Sequence, residues 1–387
     1  MKDMTLIINT TLNVHQRLHQ LQAWFDDWEI EDQHLTQRIQ VLNPYEPLDL
    51  QLGTQLTRWQ QRMRLKLIQI PLEIDPEIVQ SVGYETLRRM MVQQFATLSP
   101  QQKHLWLHNF LFILTPKLRL LNDKISNILN YRALGQQRNF LLGGPSGMGK
   151  STYLDWLTLH HSATVQSERN HVPIVKIDAP VSNHTPKPLF QRLLLEYGMT
   201  YIASQNEEHL LMALILIAKQ CGTELLIVDE IEHITRPIIR RRLLEISNLT
   251  HGIPIICASC HPLVWVQGDT EIAGRWNDYF ELEQYVGTSL RQLLAFLELL
   301  LPFTQDSFLA LDELPDGSLG PAFHIEKWTG GILRDIMILI VDATQRAIDT
   351  QSPAITVALL QAAWDDIQAH PVTDFLVIAR QRLGTSV

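Results

Sequence analysis

The period of the apolar residues changes along this chain, and each change marks a different kind of structure. Over residues 1–114 the spacing is helical: Val14, Leu18, Leu21, Phe25 and Trp28 alternate steps of four and three and make one seam. The seam is too short for a coiled coil, so it predicts a helix packed within its own domain. Asn43-Pro-Tyr-Glu-Pro47, Pro71 and Pro76 interrupt the pattern, and further helices are expected over 85–95 and 100–112. From Thr115 the text changes. A lead-in helix over 115–129 is followed by short continuous apolar runs that alternate with amphipathic stretches. Strands are predicted at 139–142, 173–177, 224–228, 254–258 and 279–282. Helices are predicted at 150–160, 186–197, 207–219, 236–249 and 271–277. This alternation is the pattern of an α/β fold with a five-stranded parallel sheet, whose buried strands need no polar face. After Gly287 the strand signals stop. Leu290, Leu293, Leu294, Leu297 and Leu301 mark one amphipathic helix, Ile332, Leu333, Ile336, Met337 and Ile340 a second, and residues 355–369 a third. The expected organisation is a helical module (1–114), an α/β core (115–286), a helical unit (287–370) and a tail (371–387) in which Phe375-Leu-Val-Ile-Ala379 is a candidate docking segment.

Composition narrows the class. The chain has 387 residues, 45% of them hydrophobic and 19% charged, enough for two or three ordinary globular domains. A formal net charge of −9 argues against broad nonspecific attraction to nucleic acid, though a local basic lining is compatible with it. Cys221, Cys257 and Cys260 make no disulfide framework, which fits a reducing compartment. The start of the chain lacks the apolar core of a secretion signal, and its longest apolar runs are short of the ~20 residues needed to span a bilayer. A cytoplasmic protein with no membrane partner is expected.

Between the first strand and the helix after it stands Phe140-Leu-Leu-Gly-Gly-Pro-Ser-Gly-Met-Gly-Lys-Ser-Thr152, in which Gly144 to Ser151 fits GxxxxGK[ST]. Gly144, Gly147 and Gly149 are free to take backbone angles closed to other residues. The amides of Gly144, Pro145-flanked Ser146, Gly147, Met148 and Gly149 can then turn around phosphate oxygens. Lys150 opens a helix, whose positive end adds to its ammonium, and Ser151 offers a hydroxyl to Mg²⁺; Thr152 lies in the first turn. The motif predicts nucleotide binding, with ATP and Mg²⁺ as cofactors.

Other residues complete the chemistry. Glu224-Leu-Leu-Ile-Val-Asp-Glu230 is an apolar strand ending in two acids. Asp229 is the expected metal ligand, directly or through water, and Glu230 the group that polarises the attacking water. The strand over 254–258 runs into Ser259-Cys-His261, where one of Ser259, Cys260 or His261 would sense the γ-phosphate. Cys257 and Cys260 form a CxxC without a second pair, which favours packing over zinc or redox use. Arg275, just ahead of the last strand, is a candidate finger onto a neighbouring subunit's nucleotide, or else a surface ion-pair residue. Arg334, at a helix start in Gly330-Gly-Ile-Leu-Arg334, is a candidate second cation on the nucleotide. Arg240-Arg-Arg242 is the densest basic cluster; with Ile239, Leu243 and Ile246 turned inward, the three arginines are expected to fan over the outer surface, with Arg240 and Arg241 as candidate DNA contacts.

This set, from Gly144 to Arg334, resembles the AAA+ ATPases of the ASCE P-loop branch. Within them the chain is similar to the TniB/TnsC family of transposition regulators over roughly residues 113–347. Val172-Pro-Ile-Val-Lys-Ile-Asp178, the Pro186-Lys-Pro-Leu-Phe190 helix start and Cys221-Gly before the acidic strand carry that finer likeness. Cys260-His261 departs from the Thr or Asp frequent there, and residues 1–114 fall outside the likeness. The resemblance implies an AAA+ core with a helical lid and an appended N-terminal helical module. It also implies assembly with ATP into rings or filaments on duplex DNA without sequence preference. Such an assembly links a TniQ/TnsD-like adaptor to a transposase and is undone by hydrolysis. By the same resemblance Lys187, with Thr200 or Tyr201, would line the DNA pore. A helicase-loader-like or STAND-type switch is the alternative, and a nucleotide-bound scaffold with little turnover is a third.

Overall fold

The computed structural model describes residues 72–74, 89, 111–113, 115–133, 138–161, 164–165, 170–181, 184–197, 199, 205–267, 269–276, 278–301, 303 and 305–369. The N-terminal seam, Thr200, Tyr201 and the tail lie outside them. Among the described residues, one unit comprises residues 116–283 and a second comprises 72–74, 89, 111–113, 115 and 284–369.

The first unit opens with helix α1 (Pro116–Ala133), strand β3 (Phe140–Gly143) and helix α2 (Lys150–His160). Two-residue strands β4 (Thr164–Val165) and β5 (Asn170–His171) pair antiparallel. Then follow β6 (Ile174–Asp178), α3 (Lys187–Glu196), α4 (Glu207–Gln220), β7 (Leu225–Asp229), α5 (Pro237–Leu249), β8 (Ile255–Ala258), the short α6 (Pro262–Val266) and α7 (Thr270–Arg275), and β9 (Asp278–Glu281). The five longer strands form one sheet in the order β6-β7-β8-β3-β9, every pairing parallel. All five were expected from their apolar runs, and every residue of β3, β7 and β8 is buried. A parallel sheet covered on both faces requires this. Asn139, fully buried ahead of β3, accepts the Ile255 N–H at 2.9 Å through its side-chain oxygen and so pins β3 against β8. Ser247, within the last turn of α5, donates to the Ile253 carbonyl at 2.6 Å and ties the helix to the segment leading into β8. The core is packed by α3, α4 and α5 residues such as Phe190, Tyr197, Leu214 and Leu243.

Sheet order positions the chemistry. Gly143 ends β3, Ala258 ends β8 and Asp229 ends β7, with β8 in the middle. Neighbouring strands are ~4.8 Å apart, so the phosphate loop and the acidic strand end stand about 10 Å apart, with the β8 terminus between them. That is a gap the size of a phosphate group and its ligands. Such a crevice beyond the carboxyl ends of parallel strands is where open α/β sheets hold ligands.

The second unit contains β1 (Leu72–Ile74) paired parallel with β2 (Leu111–Ile113), and helices α8 (Gly287–Leu300), α9 (Pro321–Thr329), α10 (Leu333–Asp349) and α11 (Val357–Ala369). The helix expected over 100–112 is corrected at its end, where residues 111–112 are strand. Leu-Phe-Ile is apolar without a period, and a run that short does not distinguish helix from strand. Helix α9 was not expected either. Its cues are local: Pro321 at its first position, and Gly330 in a left-handed conformation (φ 57°) after its end. Glu298, the one acid in the leucine-rich α8, is 3% exposed. Its carboxylate accepts the N–H groups of Ser307 at 2.7 Å and Leu309 at 2.8 Å, which closes the loop after the helix. Replacing Glu298 with alanine leaves two buried donors unsatisfied and is expected to cost about 2–3 kcal/mol; thermal melts of the purified variant measure it.

Candidate nucleotide site

Three glycines shape the loop between β3 and α2. Gly144, Gly147 and Gly149 have φ of 137°, 83° and 84°, the last serving as the cap residue of α2. A Cβ at Gly144 would stand 2.4 Å from the Leu282 carbonyl oxygen, so the loop lies directly against the chain leaving β9. Pro145 and Gly147 are half-buried, Ser146 is exposed and Met148 is 2% exposed, its side chain anchoring the loop to the core. Lys150 is 8% exposed, and its ammonium donates to the carbonyls of Gly144 at 2.6 Å and Pro145 at 3.0 Å. A buried ammonium held by the loop's own carbonyls is a cation aimed at whatever the loop encloses. Ser151 and Thr152 are exposed at the start of α2. This cradle of left-handed glycines, helix start and lysine fits a nucleotide's phosphates.

The acidic strand supplies the rest. Asp229 is 2% exposed; its Oδ1 accepts the Glu230 N–H at 3.0 Å, and its backbone carbonyl accepts the Ala179 N–H at 2.8 Å. Glu230 is held at φ 55°, ψ 42°, a left-handed conformation rare for a side chain of that size. Strain of about 1–3 kcal/mol at such a residue is typical of functional positions. It turns the Glu230 side chain out of the strand line and leaves it exposed, with His233 Nε2 at 3.7 Å from its carboxylate. The lysine that the strand β6 places nearby, Lys176, went unnoticed in the sequence. Its Nζ lies 2.7 Å from Asp155 of α2 and 3.6 Å from Asp229 Oδ2. The available signal was a lysine in the interior of a strand whose only other charge, Asp178, stands at its end.

After β8 the three candidate sensors separate. Ser259 is 4% exposed and its hydroxyl accepts the His261 N–H at 3.1 Å, so it shapes the turn. His261 is exposed. Cys260 Sγ lies 3.9 Å from the Lys150 ammonium, the contact among the three that reaches the loop lysine. Cys257 is fully buried beside Trp276; burial pushes its thiol pKa far up, and the Trp276 hydrogen bond offsets only part of that. A thiol so held is inert packing.

The remaining candidates occupy varied settings. Arg275 ends α7 and is exposed; its backbone carbonyl accepts the Asn139 N–H at 3.3 Å. Asn139 precedes β3, so Arg275 sits at the amino end of the strand whose carboxyl end carries the phosphate loop. Arg334 opens α10 in the second unit, 57% exposed and 3.0 Å from Asp335. Lys187 starts α3 and is half-buried. The basic cluster does not fan outward as a set. Arg240 folds back over the Trp265 ring at 5.4 Å and donates to the Trp265 carbonyl at 2.5 Å; burial lowers its pKa and Asp269 raises it in part. Periodicity placed its Cα beside the apolar stripe, and a long arginine stem reaches inward from there. Arg241, 66% exposed, lies 3.6 Å from Asp269. Arg242 is taken up by Glu207, Glu208 and Glu245 at 2.9, 2.5 and 2.6 Å.

Among the described residues no helix is long and apolar enough to cross a membrane. Comparison with known families matches residues 132–264 to the AAA domain. No curated protein matches the chain. Among solved structures it is similar to the Aeropyrum pernix ORC2 protein in its ADPNP–ADP complexes, at 15% identity and TM-score 0.49, covering 65% of this chain and 69% of that one. The Aeropyrum pernix ORC1 protein in complex with DNA matches at 14% identity and TM-score 0.43, over 64% of each chain. The Thermotoga maritima RuvB Holliday junction branch migration motor matches at 16% identity and TM-score 0.42, over 66% of this chain and 73% of its own. At such identities and scores the likeness carries nothing about ligand or partner. The family match spans the phosphate loop, Asp229–Glu230 and Ser259–His261, so this chain carries an AAA ATPase domain on a five-stranded parallel P-loop sheet.

Proposed function

We propose that this ATPase is an ATP-gated assembly factor that oligomerises on duplex DNA, and that it links a TniQ/TnsD-like target selector to a transposase. The observation that carries the assembly part is the placement of Arg275. Its backbone is a full strand, about 13 Å, from the loop at the other end of β3, and the side chain is exposed. An arginine whose backbone is so far from its own phosphate loop suits the nucleotide of a second copy. Losing the γ-phosphate would then remove a charge pair from the interface, which ties assembly to nucleotide state. The transposition part rests on the sequence resemblance.

Within the site Lys150 binds the β and γ phosphates, and Glu230 orients the attacking water and takes its proton. Ser151 and Asp229 fit Mg²⁺: the serine hydroxyl is exposed at the loop, and Asp229 keeps Oδ2 beyond hydrogen-bond length of any donor named above. Such an ion takes one or two protein ligands, fills the rest from phosphate and water, and neutralises developing charge. Arg334 is proposed as a further cation on the nucleotide. Lys187, Thr200, Tyr201 and Arg241 are proposed to contact DNA phosphates, with Arg240, drawn inward, the weakest of the set. Backbone contacts of this kind position the protein without reading sequence and weaken steeply with salt.

The test is electron microscopy of the protein with duplex DNA and a non-hydrolysable ATP analogue. Wild type is expected to give rings or filaments on the duplex. Lys150→Ala, which forfeits charge-assisted hydrogen bonds of about 1.5–3 kcal/mol each to the phosphates, is expected to give none. Assemblies formed equally by Lys150→Ala would overturn the nucleotide gate.

A further inference from the structure

Strand β6, at one edge of the sheet, reads Ile174-Val-Lys-Ile-Asp178, and the lysine in its middle is 8% exposed. Residues two apart on a strand share a face, so Lys176 and Asp178 point the same way. In the parallel register Asp178 lies opposite Asp229, which brings that acid onto the same face. Two carboxylates opposite one another on neighbouring strands repel. Lys176 offsets that repulsion: its Nζ is 3.8 Å from Asp178 and 3.6 Å from Asp229. Its closest partner comes from elsewhere. Asp155 of α2, one turn beyond Ser151 on the helix that the phosphate loop starts, meets the ammonium at 2.7 Å.

We propose that Lys176 is a positioning residue for the metal edge of the nucleotide site, joining the helix that carries Ser151 to the strand that carries Asp229 and competing with the divalent ion for Asp229. The proposal rests on the nucleotide site alone and is independent of DNA or partners. The distances divide the three acids by role. Asp155 makes a true hydrogen bond and holds the ammonium back. Asp229 Oδ2 stays just outside bonding length, and Oδ1 is occupied by the Glu230 N–H at 3.0 Å. Asp229 is therefore oriented from one side and left open on the other. Burial draws the Lys176 pKa down, but Asp155, Asp229 and Asp178 more than offset it, so the group stays above the ordinary lysine range and charged.

Opposite shifts in Mg²⁺ requirement follow for two substitutions. Asp155→Asn releases the ammonium toward Asp229, where it obstructs the ion. Lys176→Met removes the competitor. The experiment titrates Mg²⁺ against binding of a fluorescent ATP analogue, read by anisotropy, with melting of each protein in EDTA as the folding control. Asp155 is 49% exposed, so its asparagine variant is the one expected to fold normally. Half-saturating Mg²⁺ is expected to rise roughly three- to fivefold in Asp155→Asn and to fall by a similar factor in Lys176→Met, the size of one partly exposed ion pair. A folded Asp155→Asn whose half-saturating Mg²⁺ stays within about twofold of wild type overturns the proposal, as does a shift in the same direction for both variants. Should Lys176→Met not fold, Asp155→Asn decides alone. Wild-type protein that fails to bind the analogue removes the nucleotide site itself, an outcome distinct from either of these.

Discussion

Arg275→Ala is expected to lower ATP turnover by about 10³-fold or more, the range seen where arginines complete a neighbour's phosphate site. Nucleotide binding by the isolated subunit should be untouched, because the residue sits at the far end of β3 from the loop that binds. The two effects separate in a mixture. Lys150→Ala supplies an intact Arg275 but an empty loop; Arg275→Ala supplies a loaded loop and no arginine. Each alone should be inert. Combined one to one, they should recover a substantial part of wild-type turnover, because each loaded loop of one variant can then be completed by an intact arginine of the other. Steady-state phosphate release reads the result. A mixture as inactive as its components would mean that Arg275 acts within its own subunit or only packs.

Glu230→Gln is expected to cost about 10²–10⁴ in turnover, the usual worth of a positioned general base. Its amide keeps the size of the side chain and the contact range of His233, which lies 3.7 Å from the native carboxylate, so the left-handed backbone at φ 55° is not disturbed. Binding of nucleotide should persist, and assemblies on DNA should outlast those of wild type because the step that dissolves them is blocked. Single-turnover kinetics with the variant, beside assembly lifetimes followed by light scattering, test both halves. Variant turnover within about threefold of wild type would move the base elsewhere, since such a change is far below what proton transfer by a placed carboxylate contributes.

Much of the catalytic edge was legible because buried parallel strands announce themselves. Phe140–Gly143 and Ile255–Ala258 hold no polar side chain, Leu225–Asp229 is apolar up to its final acid, and each ends where polar residues become useful. The same logic concealed Lys176: inside such a run a single charge reads as noise until a helix brings Asp155 to it. The pair Thr164–Val165 and Asn170–His171 is too short to show any period. Helix α6 spans five residues, less than two turns, and so presents no stripe, whereas the helix expected over 271–277 is found as α7, Thr270–Arg275. Arg240 was misjudged for a different reason. Helical spacing assigns the direction of a Cα, whereas a guanidinium five bonds further out goes where the carbonyl of Trp265 draws it.

The opposed placement of Arg275 and the phosphate loop on β3 has a consequence for any polymer this chain builds. When copies follow one another in a single sense, as in a heterologous assembly, each arginine end meets the phosphate-loop end of the next copy. An open polymer of that kind has unlike tips: at one the last triphosphate waits with no neighbouring arginine to complete it, at the other Arg275 has no neighbouring nucleotide to complete. Turnover per subunit then rises with length and the unfinished tip is hydrolytically silent, giving a growing array a protected front and a directional signal that a second protein can read at one terminus only.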